Sequence, residues 1–294
     1  MQNGGYSIQS AFLDYDLDGD LDLYVANYPP TNFNAPNNFY SYKMRNPRDY
    51  ETDKLFRNDG DTFTDVTTEA EIRSFGLTNS ATVGDINSDG WPDIYISNDF
   101  NVPDYMLIND GDGTFSEHSK ELTKQTALYG MGVDIADFNN DGLIDLYFTG
   151  NQVSDKLYLN QGALQFKDIT AAALIQNDSG WTTGVTTVDI NNDGLLDIYV
   201  CKVGEFESIK GQNILYVNQG LDENGLPKFK DEANAYNLDI KSFATQSSFF
   251  DFDLDGDLDM FLLNHSVYPN RTYGKGNSRS QIDSVAGDKL FENQ

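Results

Sequence analysis

Apolar residues recur along the chain in short runs with the alternation and the β-branched and aromatic content of strands. DLYVAN (22–27), DIYISN (93–98) and DIYVCK (197–202) are examples. Each lies behind a run of smaller residues: IQSAFL, NSATVG, GMGVDIA, TTGVTTV and ATQSSFF. Small side chains suit a strand that neighbouring sheets crowd. After a connection of variable length come third runs, DKLFRND (53–59), DYMLIND (104–110), DKLYLNQ (155–161), NILYVNQ (213–219) and DKLFENQ (288–294). A turn and a fourth run follow in four of the five units: DTFTDVT, GTFSEHS, LQFKDIT and PKFKDEA. Four strands per unit, repeated five times, predict an all-β fold of β-propeller blades.

Between the first and second run of every unit the polarity inverts. DYDLDGDLD (14–22), DINSDGWPD (85–93), DFNNDGLID (137–145), DINNDGLLD (189–197) and DFDLDGDLD (251–259) each carry Asp at positions 1, 5 and 9, Asp or Asn at position 3 and Gly at position 6. So many carboxylates at alternate positions repel one another unless a cation lies among them. Ca²⁺ takes six to eight oxygens, and a loop curling around it presents alternate side chains and a backbone carbonyl.

The side-chain ligands expected are therefore Asp14, Asp16, Asp18 and Asp22; Asp85, Asn87, Asp89 and Asp93; Asp137, Asn139, Asp141 and Asp145; Asp189, Asn191, Asp193 and Asp197; and Asp251, Asp253, Asp255 and Asp259. The position-7 carbonyls of Asp20, Trp91, Leu143, Leu195 and Asp257 complete the sets. An EF-hand would need Glu at position 12 and flanking helices. Position 12 is Val25, Ile96, Phe148, Val200 and Leu262, each within a strand-like run. Loops 1 and 5 hold more carboxylate and are expected to fill first.

First ligands at 14, 85, 137, 189 and 251 define units of about 6–76, 77–126, 127–178, 179–240 and 241–294 within one propeller domain, 1–294. The chain stops after the third strand of unit 5, so a piece of a larger propeller is expected. Units 1 and 5 match each other best: SIQSAFLDYDLDGDLDLY and ATQSSFFDFDLDGDLDMF agree at 11 of 18 positions.

These units resemble FG-GAP/VCBS repeats, the calcium-loop blades of integrin α-subunit propellers and of large secreted bacterial proteins. NDGWPDIYISND, WTTGVTTVDINNDGLLDIYVCK and TQSSFFDFDLDGDLDMFLLNH are more narrowly similar to bacterial proteins related to cartilage acidic protein, without their ASPIC/UnbV tail. The resemblance implies metal loops on one face of the propeller and ligands on the other. It also keeps a polysaccharide lyase in view, since such propellers form the body of some lyases.

Charge narrows the partners. The formal net charge is −28, and the five loops hold 19 of the 47 acidic residues. Phosphate backbones need a basic surface, so nucleic acid is excluded. No apolar run is long enough to span a membrane. The single cysteine, Cys201, leaves no intrachain disulfide. Calcium loops of this type imply an extracellular, cell-surface or periplasmic setting, with a signal expected upstream because MQNGGYSIQS has no apolar core.

His118 and His265 lie in no zinc pattern, and neither GxSxG nor a phosphate-cradling loop occurs. A non-enzymatic binding or adhesion module for a glycan or protein ligand is therefore expected, with a structural scaffold as the alternative. Long connections at 27–52 and 264–287 concentrate aromatic and basic residues on this acidic chain, which makes Tyr28, Tyr40, Tyr42, Arg45, Arg48, Tyr268, Arg271 and Tyr273 the candidate ligand contacts.

Overall fold

A computed structural model describes residues 6–30, 36–99, 102–119, 130–151, 153–175, 180–204, 209, 211–265 and 285–293. The first sheet contains β1 (Ser7–Leu13), β2 (Asp22–Asn27), β3 (Lys54–Asn58) and β4 (Phe63–Asp65). The second contains β5 (Thr78–Gly84), β6 (Asp93–Asn98), β7 (Tyr105–Asn109) and β8 (Phe115–Glu117). In the third are β9 (Gly130–Ala136), β10 (Asp145–Gly150), β11 (Lys156–Asn160) and β12 (Phe166–Asp168). The fourth has β13 (Thr182–Val188), β14 (Asp197–Lys202), β15 (Ile214–Leu221) and β16 (Pro227–Asp231), and the fifth β17 (Ala244–Phe250), β18 (Asp259–Asn264) and β19 (Lys289–Phe291).

Within every sheet the strands lie side by side in chain order, and the fifth sheet has three strands among the described residues. Each resolved register is antiparallel, as in β2 against β3, where Leu23 faces Phe56 and Val25 faces Lys54. The fold class is all-β, a β-propeller built of these blades, as the repeated runs predict.

The chain forms two compact units: Met1–Asp137, Asp141–Phe148 and Tyr158–Asp168 make one, and Phe138–Asn140, Thr149–Leu157 and Ile169–Gln294 the other. In the first, one core cluster joins the first two sheets through Leu13, Tyr24, Leu55, Ile94, Ile96 and Leu107. A second joins the next pair through Tyr95, Met106, Val133, Leu146 and Phe148. In the second unit, Tyr199, Cys201, Leu215, Met260 and Leu262 pack the fourth sheet on the fifth. The second strands β6, β10 and β14 are buried along their whole length, which explains why their sequences are apolar runs rather than half-polar ones.

The small residues of the first strands are explained by contact between successive blades. A Cβ added at Gly84 would lie 2.5 Å from Cδ1 of Ile135, and one at Gly184 would lie 2.4 Å from the carbonyl oxygen of Thr245. Side chains there also stitch neighbours together: Ala81 N–H donates to Gln9 Oε1 at 2.8 Å, and Thr183 Oγ1 donates to the Ala244 carbonyl at 2.8 Å.

One element was not expected. The connection after β2 folds into α1 (Asn37–Arg45) and a 3-10 turn, Asp49–Glu51. The helix has no side-chain N-cap and no acidic residue in its first turn, so local signals favour it weakly. It is tied down instead by Lys43, whose ammonium lies 2.5 and 2.8 Å from the two Glu51 oxygens with both groups largely buried.

Candidate metal loops and ligand surface

All five acidic loops adopt one backbone. Gly19, Gly90, Gly142, Gly194 and Gly256 at position 6 have φ between 84° and 101°, the left-handed region where Gly has no Cβ penalty. Position 4 is left-handed too, in Leu17 (55°), Ser88 (62°), Asn140 (55°), Asn192 (57°) and Leu254 (65°). Asn tolerates this conformation, whereas leucine there costs about 1 kcal/mol.

The acidic side chains organise that backbone. In every loop the position-1 carboxylate accepts the N–H groups of positions 5 and 6, as Asp14 does from Asp18 and Gly19 at 3.0 Å each. Asp85, Asp137, Asp189 and Asp251 repeat this. Position 5 accepts the N–H of position 7 in all five, as in Trp91 to Asp89 at 2.9 Å and Leu195 to Asp193 at 2.8 Å.

Position 9 does more than face a loop. Asp22, Asp93, Asp145, Asp197 and Asp259 are buried. One oxygen of each accepts the N–H of an asparagine in or just after the third strand: Asn58, Asn109, Asn160, Asn218 and Asn293, at 2.7–2.9 Å. The other accepts the position-2 N–H in four loops, from Tyr15, Ile86, Ile190 and Phe252. Burial pushes Asp93 and Asp197 up to about 6 despite these donors.

Three of the asparagines reach further. Asn109 Nδ2 donates to the Tyr15 carbonyl, Asn160 to that of Ile86 and Asn218 to that of Phe138, at 2.8–3.1 Å. Each thereby latches the loop of the preceding blade.

Do the residues fit a divalent cation? One oxygen from each of Asp14, Asp16 and Asp18 lies within 4.8 Å of the others, and the same holds for Asp251, Asp253 and Asp259. Asp16 Oδ1 is buried and has no hydrogen-bond partner. An orphaned, buried carboxylate oxygen among other carboxylates is poorly solvated and asks for positive charge. Burial first, and then the charge of Asp18, raises the Asp16 pKa, and Asp253 is raised likewise by desolvation and Asp255. In loops 2 and 4 the third residue supplies its own donor: Asn87 Nδ2 lies 2.8 Å from Asp89 Oδ2, and Asn191 Nδ2 2.9 Å from Asp193 Oδ2. The donor sets fit a hard cation, most stringently in loops 1 and 5.

The insertion between β2 and β3 begins at the end of β2 opposite its acidic loop. Tyr28 is half-buried, and burial, then Asp99 and Tyr40, push its hydroxyl up to about 12. Tyr42 is 63% exposed, which leaves its ring free for a partner. Arg45 and Arg48 are exposed, Arg48 donating to the Tyr50 hydroxyl at 2.7 Å. These two arginines line one groove of about 470 Å³ together with Arg73, which lies in the turn after β4. Tyr268, Arg271 and Tyr273 lie outside the described residues.

A family model described as FG-GAP-like repeat matches residues 14–96, 89–148 and 137–200, more than half of the chain. The chain belongs to the FG-GAP-like repeat family. This FG-GAP protein is 29% identical over 202 residues to cartilage acidic protein 1 of Homo sapiens, across 67% of this chain and 30% of that protein. It is 28% identical over 185 residues to the Xenopus tropicalis protein of the same name, across 61% of this chain and 28% of that one. The chain thus spans about a third of the length of the curated relatives it matches. Among solved structures it is similar to the Vibrio cholerae biofilm matrix protein Bap1, with 16% identity and a TM-score of 0.43, over 88% of this chain and 35% of that one.

Sequence reasoning missed a second clamp within these FG-GAP blades, at the opposite end of each strand pair. Asp53, Asp104, Asp155, Asn213 and Asp288 each accept a backbone N–H at the end of the second strand, from Asn27, Asn98, Gly150, Lys202 and Asn264. The signal was present as the polar residue opening every third run. Burial pushes Asp53 up to about 6 and Asp104 up to about 7, partly offset by these hydrogen bonds and those from Tyr24 and Tyr95. Arg73 was missed because it is distant in sequence from the insertion it faces.

Proposed function

We propose that this FG-GAP propeller is a calcium-stabilised, extracellular binding module that recognises a glycan or protein ligand and performs no catalysis. The unpartnered, buried Asp16 Oδ1 carries the calcium part of the reading. Bound Ca²⁺ would neutralise the crowded carboxylates. The side chains at positions 1, 3, 5 and 9 and the position-7 carbonyl of each loop would hold it. With dissociation constants of about 0.1–1 mM, each site contributes roughly 0.4–1.4 kcal/mol at millimolar calcium. Similarity to a protein named for cartilage supports the extracellular setting.

The binding part rests on the insertion at 28–52. It stands at the end of its blade away from the acidic loop and exposes Tyr42, Arg45 and Arg48. That placement supports a ligand on the side away from the metal. Two groups argue for a scaffold role instead, since Lys43 and Tyr50 are used within the insertion itself. Against catalysis, burial pushes the Cys201 thiol up to about 12, and the Ser116 hydroxyl that lies 3.0 Å from His118 Nε2 gives its proton to Asp110 Oδ1 at 2.8 Å rather than to the imidazole. Among the described residues, no helix is long and apolar enough to cross a membrane.

Glycan and peptide arrays with the whole chain in 2 mM calcium test the reading. Signal lost when 37–51 is replaced by a short turn, with melting unchanged, supports recognition. Lost stability without any array signal favours the scaffold.

A further inference from the structure

We propose that the groove between α1 and the turn after β4 is an oxyanion site for a short acidic oligosaccharide, one bearing a carboxylate or a sulfate. The inference rests on the binding-module reading and names the ligand chemistry.

Arg45, Arg48 and Arg73 line this groove of about 470 Å³, and its only acidic residue is Asp49. That carboxylate is paired with the buried Lys54, 2.5 Å away, which also faces Asp65 at 3.6 Å. The side chains of Arg45 and Arg73 form no hydrogen bond or ion pair among the described residues. Arg48 is exposed; its guanidinium lies over the Tyr50 ring, donates to the Tyr50 hydroxyl and feels the charge of Glu51. On a chain with 47 acidic residues and 19 basic ones, three arginines lining one groove with a single aspartate are a local inversion of charge. Guanidinium forks match carboxylate and sulfate oxygens in pairs.

The rest of the lining selects the ligand class. Asn46 and Thr68 offer polar contacts, while the apolar part is Met44, Pro47 and the buried Ile72. A protein partner is typically anchored by aromatic side chains in well-packed, desolvated pockets, whereas most of this lining is charged or polar and suits an oxygen-rich ligand. Net charge sets the ligand's size. A long polyanion meets repulsion from the remaining surface, whereas a short acidic sugar reaches only the arginines, because other charges beyond about 8 Å are screened at physiological salt.

The test is calorimetric titration of the whole chain, in 2 mM calcium and 50 mM salt. The probes are trigalacturonate, a sulfated chondroitin disaccharide, neutral maltotriose and an acidic pentapeptide. Expected is binding of trigalacturonate, the disaccharide or both. That binding should weaken about tenfold or more in Arg45→Ala/Arg73→Ala and fall again at 200 mM salt. Lys241→Ala, an exposed control, should leave it unchanged. Both arginines are exposed, so melting curves of the double variant should match the parent.

Equal affinity in the double variant overturns the proposal, because the sugar would then be held elsewhere, for instance by the metal loops. Binding of the pentapeptide alone overturns it as well. Maltotriose binding that survives the double variant but is lost on replacing 37–51 overturns the oxyanion site while leaving the module reading intact.

Discussion

In the loops at 85–93 and 189–197 the third residue is asparagine, and its Nδ2 donates to the fifth-position carboxylate. In the loops at 14–22 and 251–259 the same place holds Asp16 or Asp253, and Asp16 is left with a buried oxygen that nothing satisfies. At the fourth residue the contrast holds between loops 4 and 5: Asn192 takes a left-handed conformation it tolerates, whereas Leu254, like Leu17 and Ser88, bears the Cβ penalty there. One backbone thus carries two economies. The asparagine loops carry an internal donor for their carboxylates, whereas the all-aspartate loops crowd carboxylates together without one, a repulsion that outside positive charge would relieve. Calcium dependence should therefore be concentrated at blades 1 and 5 rather than shared equally.

Removing calcium tests this most severely. Excess chelator should lower the melting temperature by about 10 °C, since several sites together contribute a few kcal/mol, and millimolar calcium should restore it. Hydrogen exchange should then show protection lost first at 14–22 and 251–259. Equal loss at 85–93 and 189–197 would dissolve the distinction between the two loop types.

Exchanging the third residue is the next largest change. Asp16→Asn gives loop 1 the internal donor of loop 2 and should raise stability in chelator by about 1 kcal/mol, while weakening calcium binding at that loop several-fold. Asn87→Asp should do the reverse. Melting with and without calcium reads both, and the two variants must move in opposite directions.

The clamp at the other end of each strand pair offers a similar contrast, because blade 4 uses Asn213 where blade 2 uses Asp104. Burial holds the Asp104 pKa near 7, above its unfolded value. Its contribution is thus fully present below about pH 4 and lost as pH rises through 7. Asp104→Asn should therefore be more stable than the parent by about 1 kcal/mol at pH 8, with the advantage shrinking toward pH 5. Denaturant unfolding at the two pH values measures it.

The smallest expected effect is at position 4. Leu254→Asn should relieve about 0.5–1 kcal/mol of left-handed strain, and Asn192→Leu should introduce it, both visible as shifted denaturant midpoints.

The blades were legible because each is written five times: the small-residue strand, the acidic loop and the buried second strand recur with the same spacing. Glycine at position 6 was legible for the same reason. The left-handed fourth residue was not, since Leu17 gives no sign of a conformation leucine avoids. Helix α1 was hidden because its anchor is the Lys43–Glu51 pair rather than a cap. The position-9 aspartates read as ligands from spacing alone, and only the fold reveals that they also fasten the third strand. Asp53 and Asp104 were legible only as the first residues of the third runs, because burial of a carboxylate cannot be inferred from an apolar pattern that begins one residue later.

The asparagine latches give the chain a direction. Asn109 secures the loop that begins at residue 14, Asn160 the one at 85 and Asn218 the one at 137. A nascent polypeptide leaves the ribosome amino terminus first, at about 5–20 residues per second, so each of these three acidic loops emerges well before the residue that locks it. During synthesis blades 2, 3 and 4 would therefore each finish the one before.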